Sequence, residues 1–381
     1  MLNKGKPLRM KIGIIGTRGV PNTYGGFEQF AQYLALGLQK KGHEVYVYNS
    51  SEHPYRGKEW NGVRIIHCKD WEKIIGTAGQ FVYDYHCFRD AAGRNYDVLL
   101  QLGYTSSSVW HRLWPEKAVN IINMDGLEWK RSKYNWLTRK FLRLAERLAV
   151  KHGNILIADS IGIRDYLQEK YDHPSVYIPY GADIPAAFDP EIPGRYGFQR
   201  DGYHLLMARM EPENNIEIIV RGWMSSRKDK PLVLIGNPGN RFGQYLVRTY
   251  RHEKLHFIGA IYEPGVVNSL RHYSSYYFHG HSVGGTNPSL LEAMACGCSI
   301  AAHENLFNRS ILNGDADYFS TWQDVSAILD AQPMPVLSDE RRQINMQKVR
   351  ALYNWDKIID DYEKVFFAYG RNLSNNHKLA T

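Results

Sequence analysis

The chain has 381 residues, a formal net charge of +8 at pH 7 and four cysteines. That length exceeds one comfortable hydrophobic core, so two domains are expected, and no run of about 18 apolar residues is present to make a transmembrane helix. The positive surplus asks for an anionic partner, but by itself it does not separate phosphorylated substrates, nucleic acid and membrane surfaces.

Residues Met1 to Met10 are basic but lack an apolar h-region, which predicts no secretory leader there. Lys11 to Gly16 is a short apolar run ending in glycine, expected as a buried parallel strand. A helix is predicted from Gly26, with Phe27, Phe30, Ala31, Leu34 and Leu38 on one stripe and a stop at Gly42. Strands follow at Glu44–Tyr48, Val63–His67, Val98–Leu102, Val119–Met124 and Ile155–Ala158, separated by helical stretches. Cys68, Cys87, Cys296 and Cys298 form no C-x-x-C pair or metal-ligand spacing, so they read as reduced, buried thiols of a cytoplasmic protein.

The strand-helix alternation restarts after Pro179–Asp183 and a Pro-rich stretch to Gly197. His204–Ala208, Leu232–Ile235, Leu255–Phe257, Tyr276–His279 and Ser299–Ala302 are its strands. An α/β fold with two doubly wound domains is predicted, with ligands outside the carboxyl ends of the strands, in the cleft between them. The boundaries are residues 1–184, 185–353 and 354–381. The last segment holds an amphipathic helix over Trp355–Tyr369 and a frayed tail from Asn372.

Gly284-Gly285-Thr286-Asn287-Pro288-Ser289-Leu290-Leu291-Glu292 reads as a glycine-rich loop entering a short helix. Asn287 suits the N-cap, Pro288 the first helical position and Gly297 the left-handed stop. Free amides at such a start attract phosphate, and Glu292, one turn on, can accept ribose hydroxyls. Together they suit a nucleoside diphosphate; a capped core helix with a solvated Glu is the plainer alternative. Gly16, Arg18, Gly25 and Gly26 lie in a longer loop before the first helix. Its glycine spacing and the strand end at Asn49 make a poor dinucleotide site, so it is expected to be a mobile lip over a phosphate or sugar, or a merely flexible surface loop.

Arg209 directly follows a strand, where its guanidinium could fork onto a diphosphate. Asp125, also at a strand end, is placed to polarise a substrate hydroxyl, with Glu128 its competitor; a glycine beside Asp125 equally makes a turn. Arg139, Arg143, Arg147 and Lys151 repeat every fourth residue along a predicted helix over Thr138–Lys151, near Trp129, Tyr134 and Trp136. Such a stripe fits peripheral docking on an anionic bilayer, or an ordinary solvated helix face. No nucleic-acid module accompanies the charge, so no nucleic acid is expected as a partner.

Taken together, these motifs resemble the retaining GT-B glycosyltransferases of family 4, and within it the rhamnosyltransferases of bacterial surface polysaccharide synthesis. Gly25-Gly26-Phe27-Glu28 is similar to the family's glycine loop, and Gly42-His43-Glu44-Val45 to its first helix-to-strand turn. Ile178–Asp183 looks like the segment closing the first domain, Leu291–Gly297 like the donor helix, and Trp355-Asp356-Lys357 like the start of a helix crossing back to the first domain. The resemblance implies two Rossmann-like domains facing across a cleft, with no metal or other cofactor. It implies Glu292 on the donor ribose, Arg209 and the Ser289 and Leu290 amides on the diphosphate, and Asn214, Gly284, Gly285, Thr286 and Asn287 around the donor. The chain departs from the family pattern at three places: Asn214 stands where a Lys is usual, Gly284 where a Glu is usual, and Asp125 where a His is usual. A 6-deoxy sugar, with dTDP-rhamnose as donor, and a saccharide or lipid-linked saccharide acceptor are the expectation. The rivals are a nucleotide-sugar epimerase of the same architecture and a non-catalytic nucleotide-sugar-binding scaffold.

Overall fold

The computed structural model describes residues 9–23, 25–124, 126–131, 134–227, 229–331 and 335–378, without the side chains of 335–338 and 371–378. The chain divides into two compact units. One is built from Met1–Trp129, Tyr134–Tyr180 and Trp355–Thr381, the other from Lys130–Lys133 and Gly181–Asn354.

The first unit carries strands β1 (Lys11–Ile15), β2 (Glu44–Ser50), β3 (Glu59–Trp60), β4 (Val63–Cys68), β5 (Val98–Leu102), β6 (Val119–Met124), β7 (Ile155–Ala158) and β8 (Val176–Tyr177). They lie in the order β3-β4-β2-β1-β5-β6-β7-β8, all parallel except β3 against β4. Runs such as Val98–Leu102 are buried at every position, as a sheet covered on both faces requires. The order reverses at β1 and β5, and that is where a doubly wound sheet opens a crevice beyond its carboxyl edge.

The second unit carries β9 (His204–Met207), β10 (Leu232–Ile235), β11 (Leu255–Phe257), β12 (Tyr276–His279), β13 (Ile300–His303) and β14 (Asp317–Phe319). Their order, β11-β10-β9-β12-β13-β14, repeats the same winding with its switch at β9 and β12. Leu206, Ile219, Val220, Leu234, Phe278 and Phe319 fill one core.

Strand and helix positions follow the sequence closely, with instructive exceptions. On the helix Gly26–Lys40 it is Glu28, not Phe27, that turns to the buried face, because its carboxylate accepts the Arg18 backbone N–H at 2.9 Å. The helix beginning at Trp355 runs to Lys378 rather than fraying from Asn372. That helix belongs to the first unit. Trp355 stacks on Tyr33 with ring centroids 4.4 Å apart, Glu363 bonds His43 at 2.8 Å and Lys41 at 2.9 Å, and Tyr362 accepts from Asn123 at 3.2 Å. All four cysteines are free and buried. No helix among the described residues is long and apolar enough to cross a membrane.

Candidate functional site

In the first unit the loop after β1 is tied down rather than loose. Gly16 sits at φ +89°, and a Cβ there would collide with the Leu102 carbonyl oxygen, so only glycine lets β1 and β5 end side by side. Arg18 grips the Glu72 carboxylate through Nε at 3.0 Å and Nη2 at 2.6 Å, while its own carbonyl accepts from Ser50. Asn49 accepts from Val20 N–H at 3.0 Å and donates to the Val20 carbonyl at 2.7 Å, ahead of the cis Val20–Pro21 bond. Gly25 is extended and caps the helix that Gly26 opens. Gly16, Arg18, Gly25 and Gly26 therefore line one carboxyl edge. Glu72 and Asn49, which fix the loop, were not singled out from sequence, since nothing in a sequence pairs residues this far apart.

At the end of β6, Asp125 lies outside the described residues. Glu128 follows in a short 3-10 turn over Glu128–Lys130 and is half-buried. Its neighbour Trp129 anchors that turn, donating from Nε1 to Glu146 at 3.1 Å. Glu146 is fully buried and also accepts from Tyr166, Lys170 and Tyr171 at 2.6–2.8 Å, so four donors satisfy one carboxylate. The helix carrying Glu146 spans Trp136–His152 and is capped by Asn135. Arg143, Arg147 and Lys151 are exposed on it, Arg139 is half-buried, and the Arg143 guanidinium lies 4.5 Å over the Trp129 ring. Trp136, Leu137 and Leu144 are exposed beside them.

In the second unit Arg209 emerges two residues past β9 and is exposed. Asn214 is buried, and its amide donates to the Arg209 carbonyl at 2.7 Å, so it shapes the turn that presents Arg209. Beyond β12, Gly284 sits at φ +124° with open space where a side chain would stand, next to Gly285 and a buried Thr286. The helix Pro288–Ala295 begins as expected, with Asn287 as its cap. The capping has a consequence for the two amides expected on a diphosphate. Ser289 N–H donates to Asn287 Oδ1 at 2.9 Å and Leu290 N–H to the Asn287 carbonyl at 3.0 Å, so both already have acceptors. The helix dipole remains. Leu290 is fully buried, Glu292 partly exposed, and Glu292 Oε2 lies 2.6 Å from Arg271 Nη2.

Arg271 escaped the sequence reading, although one signal was present: it falls among Val266, Val267 and Leu270 on the buried face of the helix Pro264–His272. A cation in that company calls for a partner. Three histidines also gather at this edge. His279 and His281 stack with centroids 4.5 Å apart, and His303 ends the neighbouring strand. Burial, with His281, Arg271 and His303 close by, holds His279 well below the ordinary imidazole range. Burial and the nearby Arg209 push His281 down to about 3. Both rings are thus held towards the neutral form. Arg209 follows β9 and the glycine loop follows β12, and since these strands pair in parallel both segments leave the sheet at the same carboxyl edge. Asn305 and Asn308 each donate to the His281 carbonyl at 3.1 Å and hold the strand end in place. Among the described residues no group of three or more His, Cys, Asp or Glu side chains is arranged to hold a metal ion.

Two doubly wound units whose loops converge on their carboxyl edges make the GT-B fold, and comparison with solved structures agrees. Sucrose-phosphate synthase from Thermosynechococcus elongatus superposes with a TM-score of 0.80 at 17% identity, over 94% of this chain and 99% of that one. HepE of Anabaena, solved in complex with UDP, gives a TM-score of 0.70 at 14% identity, over 94% and 100%. An α,α-trehalose 6-phosphate synthase from Burkholderia multivorans gives 0.72 at 11%, over 97% and 99%. Residues 111–183 match a family described as a domain of unknown function (DUF1972). Among curated proteins none matches the chain.

Proposed function

We propose that the chain is a glycosyltransferase that moves a sugar from a nucleoside diphosphate to a saccharide hydroxyl. The observation that carries this reading is the carboxyl edge of the second unit. There Arg209, the glycine loop at Gly284–Thr286, the positive end of the Pro288–Ala295 helix and an anchored Glu292 surround one switch point. Arg209 and the helix dipole would offset charge gathering on the departing diphosphate, an electrostatic contribution independent of bound metal. Glu292 would accept a ribose hydroxyl. HepE, similar in fold, has been solved with UDP-glucose, which supports a nucleotide sugar as the ligand class.

The finer assignment rests on the family 4 resemblance: retention at the anomeric carbon, L-rhamnose from dTDP-rhamnose, and a saccharide or lipid-linked saccharide acceptor for surface polysaccharide. The open space at Gly284 supports a donor whose sugar lacks one hydroxyl, since no acid stands there to hold it. Asp125, or Glu128 as its competitor, would polarise the acceptor hydroxyl, with Gly25 and Gly26 on the phosphate and acceptor side.

A thermal-shift panel of nucleoside diphosphates and nucleotide sugars tests the reading, because a ligand bound only by the folded state raises its melting temperature by mass action. Thymidine compounds are expected to give the largest shift, and turnover of the best donor should be unchanged by EDTA. A preference for uridine or guanosine compounds overturns the rhamnose assignment; no shift with any nucleotide overturns the transferase.

A further inference from the structure

Arg271 enters the reading above only as the ion-pair partner of Glu292, yet an ionised side chain is rarely sealed inside a protein without a specific role. Its side chain is 1% exposed, whereas that of Glu292, 2.6 Å away, is 29% exposed. The same Nη2 donates to Ser289 Oγ at 3.2 Å and approaches Met207 Sδ at 3.3 Å, and Nη1 reaches Asn268 Oδ1 at 3.3 Å. Ser289 Oγ in turn hydrogen-bonds the Tyr277 hydroxyl at 2.7 Å. Those partners come from the end of β9, from β12 and from two helices, so the guanidinium is held through Nη1 and Nη2, while its buried Nε has no hydrogen-bond partner. The guanidinium itself is sealed, and its carboxylate partner is one of the groups through which this cluster reaches the surface.

As a purely structural device this is poorly chosen, because apolar side chains of equal volume usually stabilise a core as well as a buried ion pair does. Two properties of the pair suit a binding site instead. A glutamate on an exposed helix face samples several rotamers, and a buried cation behind it selects one before any ligand arrives, removing an ordering cost from binding. The cation also offsets the carboxylate's charge, which would otherwise repel a diphosphate bound at the same helix start.

We propose that Arg271 is a positioning residue that locks Glu292 as an oriented, charge-compensated acceptor for a nucleoside hydroxyl. This rests on the reading of Glu292 as a nucleoside-binding group, and the test is built to separate the two. Calorimetric affinities are measured for whichever of UDP and dTDP binds wild-type protein more tightly, and for its 3′-deoxy analogue, with wild type, Glu292→Gln, Arg271→Lys and Arg271→Met. Wild type should favour the 3′-hydroxyl form by about tenfold, the scale of a hydrogen bond to a charged acceptor. In Glu292→Gln and both Arg271 variants that ratio should fall towards one. A structural role lowers the melting temperature but leaves the ratio alone. Should Arg271→Met not fold, Arg271→Lys decides, since it keeps the charge and loses the forked geometry. Wild type without a 3′-hydroxyl preference overturns the reading of Glu292 and this proposal with it. A wild-type preference that persists in a folded Arg271 variant overturns the proposal alone.

Discussion

His204, His279 and His281, all in the second unit, share an unusual feature: each is held below the ordinary imidazole range. Burial, with a smaller push from Lys230, brings His204 down to about 3, as burial and Arg209 do for His281, and His279 is held lower than the ordinary range by the same kind of enclosure. In the unfolded chain each ring titrates near 6.5, so between about pH 3 and 6.5 the unfolded state binds more protons than the folded one. The stabilisation is therefore complete above about pH 6.5 and drains away as the pH falls, by up to ~1.4 kcal/mol per pH unit for each ring. Urea unfolding of the second unit should show a midpoint that drops from pH 7 to pH 5, and His204→Leu should make that drop shallower. An unchanged pH slope in His204→Leu would refute the assignment. Residues of this kind define what a sequence conceals. Glu292 was legible because cap, proline and glycine stop surround it on one short helix, each acting locally. Arg271 was not, since its meaning depends on Glu292 and Met207, brought close only by the winding of the sheet.

At the scale of elements the parallel strands were legible almost to the residue, because a strand buried on both faces is a short apolar run, too short for a helix and bounded by turn residues. The edge strands β3, β8 and β14 are two or three residues long and carry no such run. For β3 a signal was available: Asn61 and Gly62, at φ 47° and 81°, form the two-residue turn that closes a hairpin. The basic helix Trp136–His152 was legible as a stripe, but its exposed Trp136, Leu137 and Leu144 became visible only once its buried face was known. Basic side chains beside exposed apolar ones match an anionic bilayer surface, where each cation contributes about 1 kcal/mol. Changing Arg139, Arg143 and Arg147 together to Ala should weaken binding to phosphatidylserine-containing vesicles by about a hundredfold in a sedimentation assay. Binding equal to wild type would reject a lipid-docking role for this helix.

Across the whole molecule, the first unit is discontinuous in sequence and the second nearly continuous. The closing helix brings Trp355, Ile358, Ile359, Tyr362, Val365 and Phe366 into the first unit, all buried. Six such side chains contribute on the order of 10 kcal/mol of burial, comparable to the net stability of an average domain. A chain ending at Asn354 should therefore lose protection from hydrogen exchange over residues 9–180 while retaining it over 181–354. Undiminished protection of β1, β5 and β6 in that truncated chain would show the helix to be dispensable. The resemblance to family 4 anticipated where this helix goes, and the amphipathic pattern of Trp355–Tyr369 alone did not, since an apolar stripe says only that something must cover it.

The same arrangement bears on how the protein is made. Because Trp355 and the residues after it cover Phe30 and Tyr33, the first sheet stays unfinished until the helix beyond Asn354 has been translated, while Gly181–Asn354 can mature in the meantime. The nascent first unit therefore waits with an apolar flank uncovered, and a chain cut short before Trp355 would carry a sound second unit and a first unit that is a client for chaperones.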